Sequence, residues 1–203
     1  MQQITEKNSC DLRGLFLSML FVMALGPTSV YALAPTNAVS VDLLLPALSP
    51  VSKLAGEESS FIPLNIKYQR VLTEHQVLMF KMGLNYNWGH AGDSSVDIYP
   101  MLALEWHPYQ TGLQGFYLGP SLFFNYSTYS YSGASTALDM NTSYWLAVGG
   151  NIGYEFVLPS NTVVDLSFGL GYGYSYEKDM SGKTTSGFRM DETMAGVFFG
   201  YSF

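Results

Sequence analysis

The sequence predicts an all-β protein, an eight-stranded antiparallel up-and-down transmembrane β-barrel, and three observations carry that expectation. The end of the chain alternates without a break: Ala195, Val197, Phe199, Tyr201 and Phe203 share one face, and Gly196, Phe198, Gly200 and Ser202 the other. A period of two separates the faces of a strand, and an unbroken apolar face suits lipid better than water. Composition points the same way, with 15 Tyr, 13 Phe and 20 Gly among 203 residues and only 12% charged residues. Such a mixture favours pleated surfaces and excludes disorder. Seven further segments alternate in the same manner, and a tilted strand of about 9–11 residues is enough to cross a bilayer.

Before the first strand, Lys7 and Arg13 precede the apolar run Leu15 to Gly26, then Pro27 and small residues leading to Ala32-Leu33-Ala34. This pattern reads as a secretory signal peptide over residues 1–34, leaving 35–203 as one barrel domain. The run is too short for a spanning helix. Cys10 lies within the leader, so residues 35–203 hold no cysteine and no disulfide framework. Glu6, Asp11, Lys7 and Arg13 cancel, leaving the net charge at -7, which argues against nucleic acid as a partner.

The strands are expected at about 38–46, 60–71, 76–88, 96–107, 115–129, 143–157, 162–176 and 192–203. The seventh is the clearest, with Val164, Leu166, Phe168, Leu170, Tyr172, Tyr174 and Tyr176 opposed to Asp165, Ser167, Gly169, Gly171, Gly173 and Ser175. The third sets Leu78, Phe80, Met82, Leu84, Tyr86 and Trp88 against Lys81, Gly83, Asn85 and Asn87. The connections 72–75, 107–113 and 158–161 are short. Those at 47–59, 128–142 and 177–191 are long, with 89–95 between, the asymmetry of transmembrane barrels.

Volume decides which face points inward. Eight strands enclose only enough room for side chains to fill. The bulky apolar face is therefore expected outside, with Trp88, Tyr86, Tyr126, Tyr144 and Tyr174 near the loops and Trp106, Phe116, Phe156 and Phe203 near the turns as two girdles. The alternative is a soluble barrel of lipocalin type with that face inside. The inward set includes Asp42, Lys67, Lys81, Glu105, Glu155 and Asp165, with Asn65, Gln69, Asn85 and Asn151 nearby; all but Asp42 fall in the short-turn half, where a lumen charge network that Asp42 can join is expected. Buried charges require partners. The network reads as a plug or, alternatively, as an ion path. Above it the inward residues are expected to be small, giving either tight curvature or a ligand pocket.

Catalytic chemistry has one candidate. The loop His90-Ala91-Gly92-Asp93-Ser94-Ser95 holds His, Asp and Ser together, but a triad is defined by geometry, and Gly-Asp-Ser is ordinary turn chemistry. His75 and His107 fall in short turns and are expected to be solvated. No metal-ligand spacing, phosphate loop or dinucleotide fingerprint is present, so no cofactor is expected.

The segments VDLSFGLGYGYSY (164–176), GFYLGPSLFFNY (115–126) and GVFFGYSF (196–203), together with the leader, resemble the small outer-membrane β-barrel proteins, the group containing the OmpA transmembrane domain, OmpX and OmpW-like proteins. The resemblance implies the cell outer membrane as location, with outer-membrane lipid and the outer-membrane assembly machinery as partners. It also implies that Val197, Phe199, Tyr201 and Phe203 are an assembly signal. The expected function is a non-enzymatic scaffold displaying surface loops, with a surface ligand at those loops as a further partner class. The alternatives are a lipid-modifying enzyme of lipid A deacylase or acyltransferase type, and an OmpW-like conduit for small apolar solutes.

Overall fold

Eight antiparallel strands follow one another around a ring that the first and last strands close. The computed structural model describes residues 35–42, 60–88, 93–130, 140–179 and 181–203. The strands are β1 (Asn37–Asp42), β2 (Ser60–Thr73), β3 (Gln76–Trp88), β4 (Ser94–Trp106), β5 (Gly115–Ser130), β6 (Met140–Val157), β7 (Thr162–Lys178) and β8 (Thr184–Ser202). The expected leader over 1–34, the expected extension of β1 over 43–46 and the connection 47–59 lie outside the described residues.

Closure rests on the chain end. Val39 pairs with Tyr201 and Val41 with Phe199, and the Phe203 carbonyl accepts the Asn37 amide at 2.9 Å while the Phe203 amide donates to the Asn37 carbonyl at 2.9 Å. Without this seam both edge strands would carry a row of unpaired backbone groups.

One connection departs from expectation. The segment 177–191, expected to be a long loop, is mostly strand, because β7 runs to Lys178 and β8 begins at Thr184. Asp179 organises the connection between them: its amide donates to the Lys183 carbonyl at 3.0 Å, and its carboxylate accepts from Ser181 Oγ at 2.7 Å and the Lys183 amide at 2.9 Å. These donors hold the Asp179 carboxyl below its ordinary range. The reason the strand is hidden in the sequence is a bulge. Gly169 pairs with Met194 but Leu170 with Glu192, so Thr193 is an extra residue. It reverses the phase of the alternation, so the outward positions are Phe188 and Met190 before it and Phe199 and Tyr201 after it.

The side chains sort as the volume argument requires. Leu64, Phe80, Leu102, Leu122, Leu146 and Tyr172 stand exposed on the outer face, while Lys67, Lys81, Glu105, Glu155 and Asp165 are buried inside. Of the expected girdle residues, Trp88, Tyr86, Tyr126, Tyr144, Tyr174, Trp106 and Phe203 are exposed, and Phe116 and Phe156 are half-buried.

Above the charged layer the interior is not lined by small residues alone. Met101, Phe123, Trp145 and Phe198 join Met79, Ala103 and Ala147 in one buried cluster, with the Phe123 and Trp145 rings stacked at 6.4 Å. Small residues on one wall leave room for large ones from another. The Tyr99 ring occupies the space that a Cβ on Gly83 would need, and Tyr117 that of Gly153.

Candidate functional site

All six residues of the expected charge network lie on the interior face, and all are buried. Lys67 is the hub. Its ammonium stands 3.0 Å from Asp165 Oδ2 and 3.6 Å from Glu105 Oε1. Gln69, two positions along β2 on the same face, donates its amide to Glu105 at 2.9 Å and to Glu155 at 2.7 Å. One strand thus presents an ammonium and an amide to three carboxylates carried by β4, β6 and β7. Asn151 donates to Glu105 at 3.4 Å.

Asp42 and Lys81 belong to a second branch. Asp42 accepts from Asn65 at 3.1 Å, and the Tyr99 hydroxyl lies 2.7 Å from Asn65 Oδ1 and 3.0 Å from Asn85 Oδ1. Lys81 sits directly across the ladder from Lys67, an arrangement that is unfavourable for like charges. Phe198 relieves it: its ring centroid is 5.9 Å from the Lys67 ammonium and 5.0 Å from that of Lys81, so both cations share one aromatic quadrupole. Tyr99 offers Lys81 a second ring at 5.8 Å.

Three participants escaped the sequence reasoning. Tyr117 donates its hydroxyl to Asp165 Oδ1 at 2.8 Å and stands 5.2 Å from the Lys67 ammonium by its ring centroid. Phe198 is the second. Both fall on the small-residue face by period two, so the signal was available. The assumption that only small side chains fit inside concealed it.

His107 is the third, and it corrects an expectation. It is fully buried, not solvated. Its ring packs on Tyr117 at 5.4 Å and its Nδ1 lies 3.2 Å from the Gln114 carbonyl oxygen. Burial, helped by the nearby Lys67 charge, pushes the imidazole down from 6.5 to about 4.

The reason for its burial is the course of the β4–β5 connection. That segment turns back beneath the ring, with the His107 amide donating to the His75 carbonyl and the Gly112 amide to the Glu74 carbonyl, both at 2.9 Å. Gly112 and Gly115 take φ of 72° and 96°, conformations that glycine adopts without strain. Leu113 is thereby inserted among Ala38, Val77 and Val163, from β1, β3 and β7, as an apolar stopper under the charged layer.

The catalytic candidate is only partly described. His90 lies outside the described residues, and the Asp93 carboxylate accepts from the Tyr129 hydroxyl at 3.2 Å. Among the described residues no three of His, Cys, Asp and Glu converge as metal ligands. The expected assembly-signal residues Val197, Phe199, Tyr201 and Phe203 sit on the outer face of β8, Val197 half-buried and the other three exposed. No protein-family model and no curated protein matches the chain.

Proposed function

We propose that this protein is an integral outer-membrane β-barrel that works as a non-enzymatic scaffold, holding its surface loops on a rigid, closed wall. The observation that carries this reading is the inverted distribution of polarity. Val148 is 65% exposed, Tyr172 54% and Leu146 52%, while Lys67, Glu105, Glu155 and Asp165 are at most 1% exposed. In water each large apolar side chain left uncovered forgoes about 1.5–3 kcal/mol of burial, and soluble monomers rarely expose an apolar patch beyond a few hundred Å². In lipid the same wall is solvated and a closed ring satisfies its backbone.

The filled interior supports a scaffold over a conduit. Leu113, the Lys67 network and the Phe123–Trp145 stack occupy successive levels of the ring. Display then falls to the end from which the longer connections leave. The outer face of β8, with Val197, Phe199, Tyr201 and Phe203, is the surface offered to the assembly machinery.

The experiment is fractionation followed by gel electrophoresis with and without boiling. The reading expects the protein in the outer-membrane fraction, migrating anomalously until boiled. Recovery of the processed protein in a soluble periplasmic or secreted fraction overturns it. Steady large single-channel conductance of the reconstituted wild-type protein would remove the closed-scaffold part alone.

A further inference from the structure

At the end opposite the Leu113 stopper lies a cavity of about 250 Å³ whose lining among the described residues is polar and comes from four adjacent strands: Ser95 and Asp97, Ser127 to Tyr129, Asn141 to Ser143, and Glu177. From the polarity, size and position of this cavity we infer that it is a binding site for a monosaccharide-sized polyol, favouring one that carries an amino group. The inference rests on the ring and on these side chains, and it stands whether or not the outer wall meets lipid.

The lining is a continuation of the interior face. Period two puts Ser95, Asp97, Ser127, Tyr129, Asn141, Ser143 and Glu177 on the same side of their strands as the buried Met101, Phe123 and Trp145. The register then stacks them side by side, with Asp97 opposite Ser127, Ser127 opposite Ser143, and Ser143 opposite Glu177. Four strands thereby present a hydroxyl and carboxylate wall that no contiguous segment could form.

Chemistry narrows the ligand class. Hydroxyls of Ser95, Ser127 and Ser143 can donate or accept, whereas the Asp97 and Glu177 carboxylates only accept. A polyol supplies alternating donors and acceptors to match. Among the described residues no lysine or arginine lines the cavity, and Arg189, over the Trp145 ring beneath it, is paired with Asp191 at 3.6 Å, so an anionic sugar would meet two carboxylates first and an ammonium would gain from both. The volume falls below the roughly 300–1,000 Å³ of pockets for drug-sized ligands, which suits one ring rather than a chain.

The floor adds an independent observation. Trp145 occupies the next inward position below Ser143 on β6, is 5% exposed, and its indole N–H has no hydrogen-bond partner among the described residues. Buried polar groups are seldom left so. The ring itself is taken, stacked on Phe123 and with the Arg189 guanidinium 5.6 Å from its centroid, so the indole offers a ligand its N–H donor alone.

The test titrates the folded full-length protein with glucosamine, glucose, glucuronate and ethanolamine, reading tryptophan fluorescence and ligand-observed magnetic resonance. Glucosamine is expected to bind most tightly, glucose about tenfold more weakly, and glucuronate not measurably, tenfold being about 1.4 kcal/mol. Glu177→Gln and Asp97→Asn should each reduce the glucosamine-to-glucose affinity ratio from about tenfold toward one. Ethanolamine binding as well as glucosamine would show a site reading charge alone and would overturn the assignment. So would silence toward all four probes, or unaltered glucosamine preference in both variants. Glu177 is exposed, so Glu177→Gln keeps the test valid should Asp97→Asn fail to fold.

Discussion

The two ends of the ring are built from opposite materials. The end with short connections is sealed: Leu113 is folded under it, His107 is packed on Tyr117, and Lys67 is clamped by Asp165 and Glu105 at zero or near-zero exposure. The described part of the end with longer connections is hydroxylated, with Asp97 tied to Ser127 and within 3.5 Å of the Asn87 amide and Tyr129 reaching Asp93. Polar groups occur at both ends. What differs is access to water, which decides whether a polar side chain acts as a structural tie or remains available to a ligand.

Disrupting the sealed end should therefore cost far more than altering the open one. The largest effect is expected from Lys67→Met, which leaves Asp165 and Glu105 buried without their cation. Breaking one partner of a buried pair costs about 3–5 kcal/mol, and chemical unfolding of the refolded protein should show a loss of that order. A loss no greater than that of a variant at the open end would erase the distinction between the two. Tyr117→Phe comes next. It removes a hydroxyl donated to a carboxylate and should lower stability by about 1.5–3 kcal/mol, read from the same unfolding curves.

A pH series sharpens the contrast further. Folded His107 stays neutral down to about 4, whereas the unfolded chain takes up a proton near 6.5. The stability of the neutral, buried ring is thus fully present above that range and is lost as pH falls from 6.5 toward 4, at up to about 1.4 kcal/mol per pH unit. His107→Asn should flatten the wild-type profile in that window. Identical profiles would mean that the ring titrates alike in both states. The smallest effect belongs to Glu177→Gln, whose exposed side chain should change stability by less than about 0.5 kcal/mol while altering ligand preference as described above.

Legibility in the sequence followed the same division. Lys67, Lys81, Glu105, Glu155 and Asp165 were readable as inward because strand period assigns each residue a face from its neighbours alone. Tyr117 and Phe198 fell on that face too, yet their acceptance depends on Gly153 beside one and two lysines around the other, brought together from distant strands. His107 read as a solvated turn residue because its burial comes from the fold-back of residues 107–114, which no local pattern reports. The cavity was invisible for a related reason: its carboxylates and hydroxyls are up to 82 residues apart, from Ser95 to Glu177, and only the register of β4 to β7 places them side by side.

The sequence by itself determined β2 to β7 and their two faces, with the outer one predominantly apolar, since alternation is a local property set by backbone geometry. Only the tertiary structure decided that β1 closes on β8, that Thr193 reverses the phase of the last strand, and which ion finds which partner. Those outcomes depend on pairing between residues far apart in the chain, where one shifted rung moves every side chain to the other face.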